Sequence, residues 1–314
     1  MKILQRPYEK GYVRVSGGHR LYYERCGKRG GVPAIFLHGG PGTGFVEKHK
    51  ALFDFKTFDV LFFDQRGAGR SKPYGSLHKN TTWHLVDDIT FLLDKFRIEK
   101  AVVYGGSWGS TLALAYAITH PERVAGLVLR GIYLSNQDGE DWYLKGGVEA
   151  FAPEAWERFV SLVPPGQRGR VADYYRRQMA SKNRAVRRKF CYEWSRYEMS
   201  LVALKAPDET QLSEMMTEYS FESLAILESH YIARNGFFPP NFILKNAGKL
   251  AGMPVAIVHG RYDLICRPVE AWQLHKKIPG SRLHFVVGGH AASEPAVKRM
   301  LRAEIKRVAR EAGL

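Results

Sequence analysis

Two hydrophobic periods alternate along this chain. Tyr12 to Val15 and Arg20 to Glu24, with Gly17-Gly18 between them, read as a β-hairpin. Apolar runs near 33–37, 58–63, 100–104 and 124–129 are continuous rather than alternating, the pattern of strands covered on both faces. Stretches with helical spacing separate them, as parallel βαβ units require. Thr81 or Thr82 is placed to cap a helix running to Phe96, and Trp108 to Thr119 predicts another. From about Ser135 to Asn246 strand signals fade, while tryptophan, tyrosine and charge increase and helical patterns dominate. Strand-like segments return at Met253–His259 and Arg282–Val287. The expected fold is α/β, with a mostly parallel sheet formed by residues 1–134 and 247–314 and interrupted by a helical cap at 135–246. Such an insertion covers the carboxyl ends of the strands, where functional loops gather.

The polar residues that follow the strands carry the candidate chemistry. Gly105-Gly106-Ser107-Trp108-Gly109 lies between a β-branched run and a helix-forming run, which places Ser107 on a strand-to-helix elbow. A serine hydroxyl needs a histidine to take its proton and a carboxylate to orient that histidine. The strand ending at His259 leads into Gly260-Arg261-Tyr262-Asp263, and the next leads into Gly288-Gly289-His290. Taken singly, Asp263 could cap the helix after Pro268 and His290 could be a turn residue. Together with the elbow, in the order Ser107, Asp263, His290, they form a candidate triad. His284, His275 and His259 follow no strand into a glycine-rich turn, and His259 is expected to support the Asp263 loop. Acyl transfer also needs fixed donors for the developing oxyanion. His38-Gly39-Gly40-Pro41-Gly42 follows a strand, so the amides of Gly40 and Trp108 are the expected pair.

The motifs HGGPG at 38–42, DQRGAGRS at 64–71, GGSWGSTLALAYA at 105–117, HPERV at 120–124, RGI at 130–132, VHGRYD at 258–263 and GGH at 288–290 span most of the core. On these the chain resembles the proline iminopeptidases, or prolyl aminopeptidases, within the α/β-hydrolases. The resemblance implies an α/β-hydrolase core and a serine exopeptidase that releases N-terminal proline from peptides. Trp194-Ser195-Arg196-Tyr197-Glu198 and Glu228-Ser229-His230-Tyr231 are similar to the family's two cap segments whose acids bind the substrate amine. Periodicity alone leaves Glu198 and Glu228 as solvated or salt-bridged residues beside apolar stripes. The resemblance also implies an aromatic slot for the pyrrolidine ring, formed by Tyr133 and Tyr143, with Trp142 equally suited to simple packing. Tyr133 stands where phenylalanine is usual. Arg130 and the Asp64–Arg70 loop match the family too, and are expected to act on conformation rather than at the reacting bond.

Composition narrows the remaining classes. The 314 residues are 45% hydrophobic, without an apolar run of about 18, so no membrane span is expected. No hydrophobic leader region follows Met1, and the three cysteines are far apart, both consistent with the cytoplasm. No HExxH or paired CxxC pattern suggests a metal, and no cofactor is expected. The net charge of +16 gathers in Arg168–Lys189 and Lys298–Arg310, where helical spacing sets it on solvated faces. No nucleic-acid-binding motif accompanies it, so no specific nucleic-acid partner is expected. The alternatives from sequence are another capped α/β-hydrolase acting on an ester, lactone or amide, or a noncatalytic or nucleic-acid-binding protein on this fold. The sequence does not give the oligomeric state.

Overall fold

A computed structural model describes residues 6–314, so the reading of Met1–Gln5 lies outside the described residues. Eight strands form one sheet: β1 Glu9–Arg14, β2 Arg20–Gly27, β3 Val32–Leu37, β4 Phe58–Phe63, β5 Ala101–Gly106, β6 Val124–Arg130, β7 Val255–Gly260 and β8 Arg282–Val286. Their order is β1-β2-β4-β3-β5-β6-β7-β8. β2 runs antiparallel to β1 and β4, and every other pairing is parallel. The expected hairpin is present and longer than its apolar pattern, because the exposed ends of an antiparallel edge pair carry polar residues. Gly17 and Gly18 both turn it at positive φ, 73° and 74°.

The helices are α1 Glu47–Lys50, α2 Thr82–Lys95, α3 Trp108–Thr119, α4 Gln137–Leu144, α5 Pro153–Ser161, α6 Val171–Met179, α7 Arg184–Leu201, α8 Glu209–Glu218, α9 Phe221–Ile232, α10 Phe242–Asn246, α11 Pro268–Lys277 and α12 Pro295–Glu311. Thr81 caps α2, its hydroxyl accepting from the His84 amide. α3 is buried along all but its last residue, which explains its apolar circumference. On the opposite face of the sheet α12 turns Val297, Leu301, Ile305 and Val308 inward. Its Arg299, Arg302, Lys306 and Arg310 face solvent, as the spacing implies, and Arg168, Arg170, Arg184 and Lys189 are likewise exposed. No helix among the described residues is long and apolar enough to cross a membrane.

α4 to α9 follow β6 and have a core of their own, centred on aromatic rings. Phe159 stacks on Tyr197 at 4.2 Å and on Tyr175 at 4.6 Å, with Trp194 edge-on at 5.8 Å. α7, the longest of these helices, packs against α5, α6, α8 and α9. Its apolar stripe is thus consumed inside the helical layer, and α7 and α9 are held as one unit.

Parallel register brings the polar strand ends together. Leu37 lies opposite Gly105, Gly106 opposite Arg130, and Arg130 opposite Val258. The loops after β3, β5, β6, β7 and β8 therefore open on one edge. The turn after β4 is fixed by a buried ion pair: Arg66 donates to both oxygens of Asp88 at 2.6 and 2.7 Å, and also to the Lys79 carbonyl and the Ser16 hydroxyl. Both side chains are almost wholly buried. Removing one partner strands a buried charge, so Asp88→Ala is expected to lower unfolding free energy by about 3–5 kcal/mol, read from urea denaturation.

Candidate active site

Ser107 sits between β5 and α3 with φ 57° and ψ −129°, a strained conformation for a residue with a side chain. Its surroundings hold it there. A Cβ on Gly105 would lie 2.1 Å from the Gly109 carbonyl oxygen, and one on Gly109 would lie 2.2 Å from that of Leu37. Only glycine allows β3, β5 and the first turn of α3 to approach so closely. The Ser107 amide donates to the Arg130 carbonyl at 2.9 Å, fastening the elbow to β6.

Asp263 and His290 meet beside it. His290 Nδ1 lies 2.8 Å from Asp263 Oδ2, while Asp263 Oδ1 accepts from the amides of Ile265 and Cys266. Asp263 therefore does not cap α11, whose first turn follows Arg267 without a side-chain cap. Burial disfavours the Asp263 carboxylate, but His290, His259 and the Cys266 amide outweigh it and hold the pKa below the ordinary value. His259 accepts from the Ile132 amide at Nδ1, and its Nε2 lies 2.9 Å from the Cys266 carbonyl, the tautomer that braces this loop. His284 and His275 lie elsewhere, against Glu304 and Ser281.

Arg130 departs from expectation. Its Nη1 donates to His290 Nε2 at 3.0 Å and to the His290 carbonyl at 2.9 Å, so the guanidinium touches the imidazole itself. The lone pair that a serine proton would occupy is here taken by arginine. Burial lowers the His290 pKa, Asp263 opposes that, and Arg130 reinforces it, leaving the ring neutral above its reduced value. RGI gave the position of Arg130 at a strand end, but no sequence pattern gives the direction of its long side chain.

The loop after β3 packs on the elbow. Gly39 is so close that a Cβ there would be 3.1 Å from that of Ser107, and Gly40 follows at φ 106°. The Gln65 amide donates to His38 Nε2, the Gln65 side chain donates to the His38 carbonyl, and the Trp108 indole donates to Gln65 Oε1. The Asp64–Arg70 turn thus ties the Gly40 loop to the start of α3. Trp108 occupies the first turn of α3, where intrahelical geometry leaves amides free for an anion.

Two cavities share Ser107. A large one, about 500 Å³, is also lined by Gly40, Arg130, Glu198 and His290. A narrow slot on the other side is lined by Gly40, Tyr133, Tyr143, Glu228, Tyr231 and Cys266, among others. Glu198 from α7 and Glu228 from α9 are both buried, not solvated, and their carboxyls are close enough to shift each other's ionisation. Trp194 Nε1 donates to Glu228 Oε2 at 2.6 Å, while Glu198 Oε2 has no partner. Burial raises both pKa values, and repulsion by Glu198 raises that of Glu228 further, so the pair retains a proton where an isolated carboxyl would not.

Tyr133 and Tyr143 line the slot. Trp142 does not: its indole donates to the Leu264 carbonyl and its ring packs on Phe151. Tyr231, which the periodicity placed in a stripe, also reaches the slot, its ring 4.5 Å from that of Trp108 and its hydroxyl on Asn80. Glu140, unmarked in the sequence, lines the same slot. It lies one turn before Tyr143 on α4, and that i,i+3 spacing is the signal that could have found it. Among the described residues no cluster of acidic, histidine and cysteine side chains could hold a metal.

Residues 33–296 match the family described as the α/β hydrolase fold. The chain is 41% identical over 298 residues to a proline iminopeptidase of Arabidopsis thaliana, covering 94% of this chain and 78% of that protein. It is 41% identical over 300 residues to a proline iminopeptidase of Neisseria gonorrhoeae, covering 94% of each. Among solved structures, an esterase from Exiguobacterium antarcticum superposes with a TM-score of 0.67 at 18% identity, covering 96% of this chain and 99% of its own. A proline iminopeptidase from Mycobacterium smegmatis gives 0.63 at 20% identity, covering 97% and 99%. These two likenesses are of fold.

A fluorophosphonate tests the site without assuming a substrate. Labelling should be lost in Ser107→Ala and should slow by about 10⁴-fold in Asp263→Asn, which misorients the imidazole. Because a neutral His290 is required and its pKa is lowered, the labelling rate should fall on acidification with an inflection below 6.5. Rapid-quench mass spectrometry across pH 4–9 reads both.

Proposed function

This chain belongs to the proline iminopeptidase family of the α/β hydrolases, and from that premise we propose that it is a serine exopeptidase releasing N-terminal proline from peptides. The observation that carries the reading is the buried Glu198–Glu228 pair placed against the two cavities that meet at Ser107. A buried carboxyl pair is costly unless a cation completes it. A prolyl ammonium has two N–H donors, one for each acid. The aromatic walls of Tyr133 and Tyr143 suit the ring, and the larger cavity suits the remainder of the peptide.

In this mechanism Ser107, His290 and Asp263 are the catalytic triad. Ser107 Oγ attacks the prolyl carbonyl carbon as its proton passes to His290 Nε2, and the carbonyl oxygen becomes an oxyanion held by the Gly40 and Trp108 amides. Collapse breaks the C–N bond, and the imidazolium gives its proton to the departing amine. Water then loses a proton to His290, attacks the prolyl ester and frees proline and the Ser107 hydroxyl. Arg130 must leave Nε2 before the first step, so closure of the site on substrate includes displacement of this guanidinium. Asp263 keeps Nδ1 protonated and stabilises the transient cation.

Residues 1–134 and 247–314 are the catalytic core in this reading, and 135–246 the specificity cap. No metal or other cofactor takes part. The protein works in the cytoplasm, a compartment that suits its three free, buried cysteines. Its partners are peptides, and the exposed basic residues lack any motif for specific nucleic-acid binding.

Prolyl-β-naphthylamide, its N-acetyl form and simple naphthyl esters form the deciding set. Rapid turnover of the free prolyl amide alone is expected, and equal turnover of the acetylated amide would remove the amine-binding role. Glu198→Gln and Glu228→Gln should each raise KM by about 10- to 150-fold, the loss of one hydrogen bond to a charged group, while Ser107 still labels. Amine binding needs the pair deprotonated and its pKa is raised. kcat/KM should therefore increase with pH through an inflection higher than that of the labelling reaction.

A further inference from the structure

The chain just beyond the end of α7 lies against the turn that carries His290. The Ala291 amide donates to the Val202 carbonyl at 2.7 Å. Glu294 adds two ties of its own: Oε1 accepts the Leu204 amide at 2.6 Å, and Oε2 accepts the Gly289 amide at 2.7 Å. One carboxylate thus spans the segment that leaves α7 and the residue that precedes His290. Hydrogen bonds to an ionised acceptor are stronger than those between neutral groups.

The backbone is shaped to admit this contact. A Cβ on Gly288 would lie 2.5 Å from Glu294 Oε2, and one on Gly289 would lie 2.8 Å from the Leu204 nitrogen. The two glycines before His290 therefore let both the carboxylate and the segment after α7 come close. Glu294 does not use its side chain to cap α12, which begins behind it without a side-chain cap. Its backbone is nonetheless fixed to the core, since its carbonyl accepts the Lys298 amide at 2.8 Å and Val297 and Leu301 are buried against the sheet.

Glu198 occupies the last turn of α7. Any displacement of the segment after that helix would move the Glu198 carboxyl relative to the His290 ring. On the reading that Glu198 binds the substrate amine and His290 is the base, we infer that Glu294 is a positioning residue that sets the separation between the two. It acts on backbone amides and touches neither the substrate nor the reacting atoms. In an N-terminal residue a single carbon separates the amine from the scissile carbonyl, so an exopeptidase depends on that separation being held. Misplacement by about 1 Å costs on the order of 10²-fold in rate.

The test uses Glu294→Ala and Glu294→Gln, each in the wild-type and the Glu198→Gln background, and two reactions. Fluorophosphonate labelling of Ser107 needs the base but no amine, whereas turnover of prolyl-β-naphthylamide needs both. Glu294→Ala should slow labelling about tenfold and lower kcat/KM for the prolyl amide about 10²-fold. In the Glu198→Gln background, where the amine contact is already weakened, the two losses should agree within about twofold. A merely structural role would weaken both reactions alike, or leave the excess loss on the prolyl amide equal in both backgrounds. Either result overturns the inference, as does unchanged labelling in Glu294→Ala. Hydrogen exchange reads the tie itself: the Leu204 and Gly289 amides should lose protection together while those in the middle of α7 keep theirs, and loss at only one of the two overturns the inference. Glu294→Gln keeps one acceptor and should fall between Glu294→Ala and the wild type, and it decides both measurements if Glu294→Ala does not fold. If the wild-type enzyme labels but does not cleave the prolyl amide, the prolyl aminopeptidase reading fails and this inference falls with it.

Discussion

The close approach of three pieces of backbone underlies the rest of the site. The carboxyl ends of β3 and β5 and the first turn of α3 are separated by distances at which a single added methyl group would collide with a carbonyl oxygen. Gly105 and Gly109 permit that approach, and the resulting turn holds Ser107 outside the ordinary backbone regions. Once the elbow is set, the Gly39–Gly40 segment can lie against it, and the Gln65 bridge joins His38 to Trp108. On the proposed reading, rigid backbone amides, rather than mobile side chains, then meet the charge that develops. The parallel register of the sheet supplies the other requirement, since it brings β6, β7 and β8 to an end on the same edge.

The core was legible because its constraints are local. A strand ending in a glycine-rich turn states both where the chain reverses and which polar residue is presented there, and this holds for Ser107, Asp263 and His290 alike. The helical layer was less legible, because a stripe at three- and four-residue spacing gives a face without naming what it meets. Glu198 and Glu228 looked like ordinary solvated acids by period, and their burial follows from the packing of α7 on α9 across 34 residues of sequence. Trp142 shows the converse, since its indole turns to the Leu264 carbonyl rather than to the slot. Arg130 lay beyond sequence reasoning for a simpler reason: a side chain with four rotatable bonds can reach several partners, and tertiary structure selects His290.

The electrostatics of the site divide between its two walls. On the core side, His290 and Asp263 are tuned so that an imidazole is neutral next to an ionised carboxylate, with Arg130 discouraging protonation of the ring. On the helical side, buried carboxyls hold protons more tightly than free acids do. A cation entering between them meets a wall that can accept charge and a base that can accept a proton. Neither property requires a metal, and both arise from burial acting in opposite directions on acids and bases.

The position of Ser107 between two unequal cavities has a consequence for the order of events. On the proposed reading, the narrow slot holds the prolyl group and the larger cavity holds the rest of the peptide. The severed peptide can diffuse away while the acyl group still blocks the slot, and its vacated space admits water to the ester. Free proline, seated behind the reacting carbon, is then the last species to leave. Such an arrangement makes the released amino acid a competitor of the next substrate, and it links the rate of a full cycle to how readily the inner slot empties.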